Sequence, residues 1–194
     1  TPYVSRREEY NFYPSLQDVI KLDYPEKIDD PFFDAANICK FNDKLLYLVS
    51  STANKAGARL LQSVVGSSYE VITWEGVYAH AHIDSTLASL NKDTILLNGS
   101  RCNENNLPMF LKDYKKIYVN DIEALPFSEF PFASKWIGMN ILSINGDTII
   151  VDPFYKSLIN LFETRGFKVL QTPFSHARTL GGGFHCITCD LERE

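Results

Sequence analysis

Cys186 follows three glycines, Gly181-Gly182-Gly183, and then Phe184 and His185. Consecutive glycines let a backbone come close to a ligand, and a thiol placed behind them can serve as a nucleophile. Cysteine attacks as the thiolate, so it needs a cation or a base nearby. His82 is the candidate base, set in the run His82-Ile83-Asp84-Ser85-Thr86. Asp34 and Asp84 supply carboxylates, and paired carboxylates suit the planar N–H fork of a guanidinium. Each residue has an ordinary alternative. A cysteine is often a small buried apolar side chain, and an aspartate beside a turn often caps it. Spacing favours the chemical reading, because Asp34, Asp84, Ser134 and Cys186 stand 50, 50 and 52 residues apart.

Other patterns carry less. His80, His82 and Asp84 alternate, and on a strand they would share one face as metal ligands sometimes do. His176 and His185 do not stand in a ligand-spaced pair with them, so no metal is expected. Cys186-x-x-Cys189 lacks the second pair that a zinc site needs and the strand–helix setting of a redox motif. Asn98-Gly99-Ser100 matches a glycosylation sequon, which is discounted because nothing else points to secretion. There is no phosphate-binding glycine loop and no Gly-x-Ser-x-Gly elbow.

The elements that must position these residues repeat as well. Polar turns at Phe41-Asn42-Asp43-Lys44, Asn91-Lys92-Asp93 and Asn145-Gly146-Asp147 separate apolar runs, a hairpin signature. From Asp43 to Asp93 the step is 50 residues, and from Asp93 to Asp147 it is 54. After the first turn, residues 54–65 read as a helix with Leu60, Leu61, Val64 and Val65 on one face, and residues 69–73 as a strand. After the second, residues 107–114 read as a short helix and 116–120 as a strand. After the third, residues 156–165 read as a helix capped by Gly166, and 168–171 as a strand. The unit is strand, strand, helix, strand. A period of about 50 residues points to radial or stacked repeats, whose equivalent positions converge on a common axis.

Composition bounds the rest. The chain has 194 residues, 45% hydrophobic and 22% charged, enough for one domain over residues 1–194. Its net charge of -5 argues against nucleic acid or an anionic membrane as partner. No apolar run approaches the roughly 20 residues of a membrane span. Four scattered cysteines and the lack of a recognisable presequence lead us to expect a reducing, cytoplasmic setting.

Four blocks resemble a known family. Gly181-Gly182-Gly183-Phe184-His185-Cys186-x-Thr188-Cys189-Asp190 is similar to the catalytic-cysteine motif of the arginine:glycine amidinotransferases. His82-Ile83-Asp84-Ser85-Thr86 resembles their catalytic-histidine motif, and Phe33-Asp34-Ala35-Ala36 their guanidinium-binding aspartate motif. Ser134-Lys135-Trp136-x-x-Met139-Asn140 resembles another shared block. The resemblance implies the pentein fold, a five-bladed α/β propeller of ββαβ units around a polar channel. It implies an enzyme without cofactor or metal that moves the amidino group of L-arginine to a primary amine. Glycine is the first choice of acceptor, giving guanidinoacetate and ornithine; an amino-cyclitol, lysine or another amine stays open. Cys186 would form the covalent amidino-cysteine, and His82 would protonate the leaving amine and deprotonate the acceptor. Asp34 and Asp84 would clamp the guanidinium, with Asp84 also orienting His82. Arg101 would hold the substrate carboxylate, Ser134 would bind the amidino group or lie near the thiol, and His185 would contact substrate. A deiminase-type hydrolase and a catalytically silent arginine-binding protein are the alternatives.

The chain also departs from the family. It has Ala133-Ser134 where two serines are common, and Ala81 where the glycine enzyme has methionine, which makes the pocket wall smaller. Residues 1–25, with Ser5-Arg6-Arg7-Glu8 in a helix-like stretch, resemble only the later part of the family's first blade, and its guanidinium-binding aspartate has no counterpart. The chain begins at Thr1 rather than Met. The expectation is therefore a propeller short of its first blade, either because Thr1 is not the biological start or because the ring is reduced or open. An open strand edge would invite a partner chain, such as a homodimer.

Overall fold

The computed structural model describes residues 30–125 and 133–189. The Ser5-Arg6-Arg7-Glu8 stretch and Asp190 of the cysteine block lie outside them. The chain divides into two compact units, Thr1–Ile83 and Asp84–Glu194, and each is described by itself.

In the first unit, β1 (Ile38–Phe41) and β2 (Lys44–Leu48) form the expected hairpin, with Phe41 opposite Lys44. Asn42 takes the positive φ of 50° that this tight connection demands. The chain then crosses through α1 (Lys55–Val65), and β3 (Glu70–Trp74) joins β2 in parallel. Parallel pairing needs such a crossover, because a tight turn reverses the strand. Asn54 starts the helix: its side-chain oxygen accepts the Gly57 N–H at 2.7 Å, relieving one of the unpaired donors of the first turn. Gly66, at φ 59°, ends it.

The buried edge of α1 differs from the apolar face read in the sequence. Gly57 and Ala58 are buried, whereas Leu60 and Val64 are 45% and 75% exposed. Close approach of the backbone sets this orientation. The Tyr47 hydroxyl donates to the Asn54 carbonyl at 2.8 Å and sits against Gly57. A Cβ at Gly57 would strike the Phe32 carbonyl oxygen and stand 2.6 Å from the Tyr47 hydroxyl. In an exposed helix, Gly→Ala stabilises by up to about 1 kcal/mol. Here the sign reverses: Gly57→Ala is expected to cost about 1–3 kcal/mol by overpacking. Urea denaturation checks this, and a raised midpoint would refute the packing argument.

The second unit repeats the pattern twice. β4 (Leu87–Ser89) pairs antiparallel with β5 (Thr94–Asn98), and β6 (Lys115–Val119) adds in parallel. β7 (Leu142–Asn145), β8 (Thr148–Val151) and β9 (Lys168–Gln171) do the same around α2 (Lys156–Thr164), with an irregularity between Ser143 and Asn145. In both sheets the middle strand is the most apolar one, and β5 is buried throughout. Gly166, at φ 85°, follows α2 as expected. The helix expected over 107–114 is only a 3₁₀ turn, Met109–Leu111. Pro108 removes a donor and fixes φ at its start, and the Asn-rich segment before it spends side chains on local turns, such as Asn103 N–H to Asn106 Oδ1 at 2.8 Å.

One apolar core joins the two sheets of this unit, with Leu96, Ile117, Met139, Val151, Leu158 and Phe162 buried at its centre. Ser143 donates to the Leu90 carbonyl at 2.6 Å, and Asn91 to the Gly146 carbonyl at 2.9 Å, tying β7–β8 to the β4–β5 turn. No helix of the described residues is long and apolar enough to cross a membrane.

Candidate active site

In the first unit the site residues are Asp34 and His82. Asp34 opens a 3₁₀ turn, Ala35–Asn37, and its backbone N–H donates to the Thr52 carbonyl at 3.1 Å. His82 Nε2 stands 3.4 Å from Asp34 Oδ2. The backbone of His82 lies at φ 67°, a region that side chains with a Cβ rarely occupy. Such strain persists where neighbours enforce it, and here the next residue is pinned, with Ile83 N–H donating to the Ala36 carbonyl at 3.0 Å. The strand alternation considered for His80, His82 and Asp84 does not occur, since residues 75–86 contain no strand. His80 instead packs edge-on against Tyr78, with ring centres 5.4 Å apart. Among the described residues no cluster of three or more His, Cys, Asp or Glu is placed to hold a metal.

In the second unit Asp84 and Cys186 meet. Asp84 is 8% exposed, and its Oδ2 stands 3.4 Å from the Cys186 sulfur. Between them sits Asn140, whose Nδ2 donates to Asp84 Oδ2 at 2.6 Å and to Cys186 Sγ at 2.9 Å. His185 lies beside the thiol, its Nδ1 3.7 Å from the same carboxylate oxygen. Burial first, and then the Asp84 carboxylate, push the Cys186 thiol above its ordinary range, while the Gly183 backbone and the Asn140 amide pull it down.

The glycines before Cys186 have distinct tasks. Gly181 takes φ 77° where the chain leaves α3 (Ser175–Thr179). At Gly183 a Cβ would stand 2.6 Å from both Cβ and Oδ1 of Asn140. At Gly182, between them, a Cβ would make only ordinary van der Waals contacts. Behind the turn, Phe184 stacks on Phe174 with ring centres 4.6 Å apart.

Arg101 is half-buried. Its Nη1 donates to the Ser85 carbonyl at 3.1 Å, the Ser85 hydroxyl at 3.0 Å and the Thr86 hydroxyl at 2.7 Å, so it braces the turn that carries Asp84. Ser134 does not touch the thiol. Its hydroxyl accepts the Trp136 N–H at 3.1 Å and starts the 3₁₀ turn Ile137–Met139, and this turn delivers Asn140 instead. Asn140 closes the Ser134-to-Asn140 block, which was the sequence signal available for it. Asn98 is fully buried with its amide on the Ser85 carbonyl at 3.0 Å, which leaves the sequon no accessible acceptor. Cys102, Cys186 and Cys189 are free thiols.

Known proteins share this arrangement of repeats. No family model matches the chain. Inosamine-phosphate amidinotransferase 1 of Streptomyces griseus is 43% identical over 166 residues, covering 85% of this chain and 48% of that protein. The mitochondrial glycine amidinotransferase of Xenopus tropicalis is 29% identical over 168 residues, covering 84% of this chain and 39% of that protein. Among solved structures, an inosamine-phosphate amidinotransferase of Streptomyces griseus superposes with a TM-score of 0.83 at 41% identity, covering 89% of this chain and 51% of the other. The repeated three-stranded mixed sheets are thus those of the pentein amidinotransferases. The chain belongs to the amidinotransferase family of the pentein superfamily. It spans about half the length of the relatives it matches.

Proposed function

We propose that this chain carries the nucleophile half of an amidino transfer from L-arginine to an amine on a carbocycle, an acceptor of the inosamine-phosphate kind. The observation that carries the transfer is the meeting of the Asp84 carboxylate, the Asn140 amide and the Cys186 thiol at one point. A guanidinium bound there brings positive charge beside both Asp84 and the sulfur. That charge offsets the carboxylate and favours the thiolate, so donor binding activates its own nucleophile.

The steps balance without an oxidant. The thiol proton passes to His82, and the sulfur attacks the guanidino carbon. The bond from that carbon to the ornithine nitrogen breaks, and the nitrogen keeps the electron pair and takes the proton from His82. The acceptor nitrogen then attacks the same carbon and gives a proton to His82, and the C–S bond breaks with its pair returning to sulfur. Asp34 and Asp84 hold the guanidinium, Arg101 the donor carboxylate, and Ser134 and His185 border the substrate. Three ββαβ-type repeats and the cysteine turn form part of one pentein propeller domain around a polar channel, in keeping with the family.

The acceptor reading replaces glycine with an amino-cyclitol. Identity is 43% to the inosamine-phosphate enzyme and 29% to the glycine enzyme, and Ala81 in place of methionine leaves room for a bulkier acceptor. With arginine as donor, ornithine release is expected to be at least about tenfold faster in kcat/KM with an inosamine phosphate than with glycine. Equal rates, or guanidinoacetate as the better product, would reject this acceptor. Citrulline in place of either product would reject the transfer.

A further inference from the structure

We infer that Asn140 is a positioning residue that holds Cys186 beside Asp84 and keeps its thiolate accessible. An amide side chain offers two N–H donors and two acceptor lone pairs, and Asn140 uses all four. Its Nδ2 gives one hydrogen to Asp84 Oδ2 at 2.6 Å and the other to Cys186 Sγ at 2.9 Å. Its Oδ1 accepts the backbone N–H groups of His185 at 2.8 Å and Cys186 at 3.2 Å. The two backbone donors fix which end of the amide is oxygen, so the NH₂ end must lie between the carboxylate and the sulfur. The Asn140 main chain also takes part, its carbonyl accepting the Phe184 N–H at 2.9 Å. Gly183 completes the fit, because any Cβ there would displace the amide.

This placement answers an electrostatic problem. When the sulfur is a thiolate, two anions stand 3.4 Å apart. A shared neutral donor bonded to both lowers the cost of that state without adding a charge that would compete with a cationic substrate. The titratable groups at this point in the second unit are Asp84 and His185. Neither alone supplies what Asn140 does: Asp84 repels the thiolate, and the exposed His185 ring stands 3.7 Å from the same Asp84 oxygen.

The inference rests on the amidinotransferase reading for its purpose, but its test needs no substrate. Iodoacetamide labelling of Cys186 is followed against pH in the Cys189→Ser background, with the labelled residue located by mass spectrometry. Asn140→Asp keeps the shape and the oxygen acceptor but removes the donor to sulfur and adds a carboxyl. Its labelling midpoint is expected at least about one pH unit higher, with labelling at pH 8 about tenfold slower. Asn140→Ser, which adds no charge, is expected to raise the midpoint by less. Unchanged midpoints in both variants, with near-native circular dichroism and melting, would overturn the inference, and so would faster labelling. If the midpoints move but arginine never forms an adduct on the native chain, Asn140 keeps this role and the transfer reading fails.

Discussion

Incubated with arginine alone, the native chain is expected to gain the mass of one amidino group, and Cys186→Ala is expected to gain none. Turnover with an acceptor should fall by roughly 10⁴-fold or more in that variant, as when a covalent nucleophile is removed elsewhere. The other thiols serve as internal controls. Cys189 is exposed, like Cys186, but lacks the Asn140–Asp84 pair, so Cys189→Ala should still form the adduct. Cys102 is buried, and that burial pushes its thiol up to about 12, which keeps it silent at neutral pH. Asp84→Asn separates two effects of one carboxylate. The Asp84 charge raises the Cys186 thiol, so removing it lowers the midpoint and makes iodoacetamide labelling faster at pH 7. The same change removes the anion that attracts the guanidinium, so the arginine adduct is lost. Labelling and adduct formation should therefore move in opposite directions. If both fall together, Asp84 acts only by holding the turn.

The reach of the sequence followed the range of the forces involved. β2, β5 and β8 were readable because each is a short apolar run beside turn residues, a signal held within a few neighbours. The helix at 156–164 was readable for the same reason, its apolar positions recurring at helical spacing with Gly166 behind. Cys186 and Asp84 stood out through glycine content and repeat phase. Asn140 lies at the end of the Ser134-to-Asn140 block, but its role is not legible there, because its meaning lies in partners 56 and 46 residues away. A buried asparagine carries no periodicity, and only the fold reveals what it bonds. Arg101 shows the converse: its brace on Ser85 and Thr86 is a local geometric fact invisible in residue type. The exposure of Leu60 and Val64 came from the close approach of Tyr47 to Gly57, which overrode an apolar pattern.

Behind the cysteine turn lies a second long-range pair, and breaking it is expected to cost about 3–5 kcal/mol. Asp152, just past β8, and Arg178, on α3, are 6% and 8% exposed, with Nη1 3.3 Å from Oδ2. Asp152 also accepts the Phe154 N–H at 2.9 Å and the Phe174 N–H at 3.0 Å, so one carboxylate holds both ends of this segment. The Arg178 guanidinium lies 4.9 Å above the Phe154 ring, where an aromatic face adds to its attraction. Arg178 fixes α3, α3 leads into Gly181, and Phe174 carries Phe184 on its face. Asp152→Ala leaves a buried cation without its carboxylate and frees two backbone donors, so it should be the more damaging single change. Replacing both partners, as Asp152→Leu with Arg178→Met, removes the charges together and should recover part of the loss. Thermal melting of the two single variants and the double variant measures the coupling. Additive losses would mean the pair is not a unit. Because this pair anchors the segment that delivers Cys186, the Asp152 variant should also lose the pH midpoint of Cys186 labelling before the protein melts, as the thiol leaves Asn140 and returns toward the behaviour of an ordinary exposed cysteine.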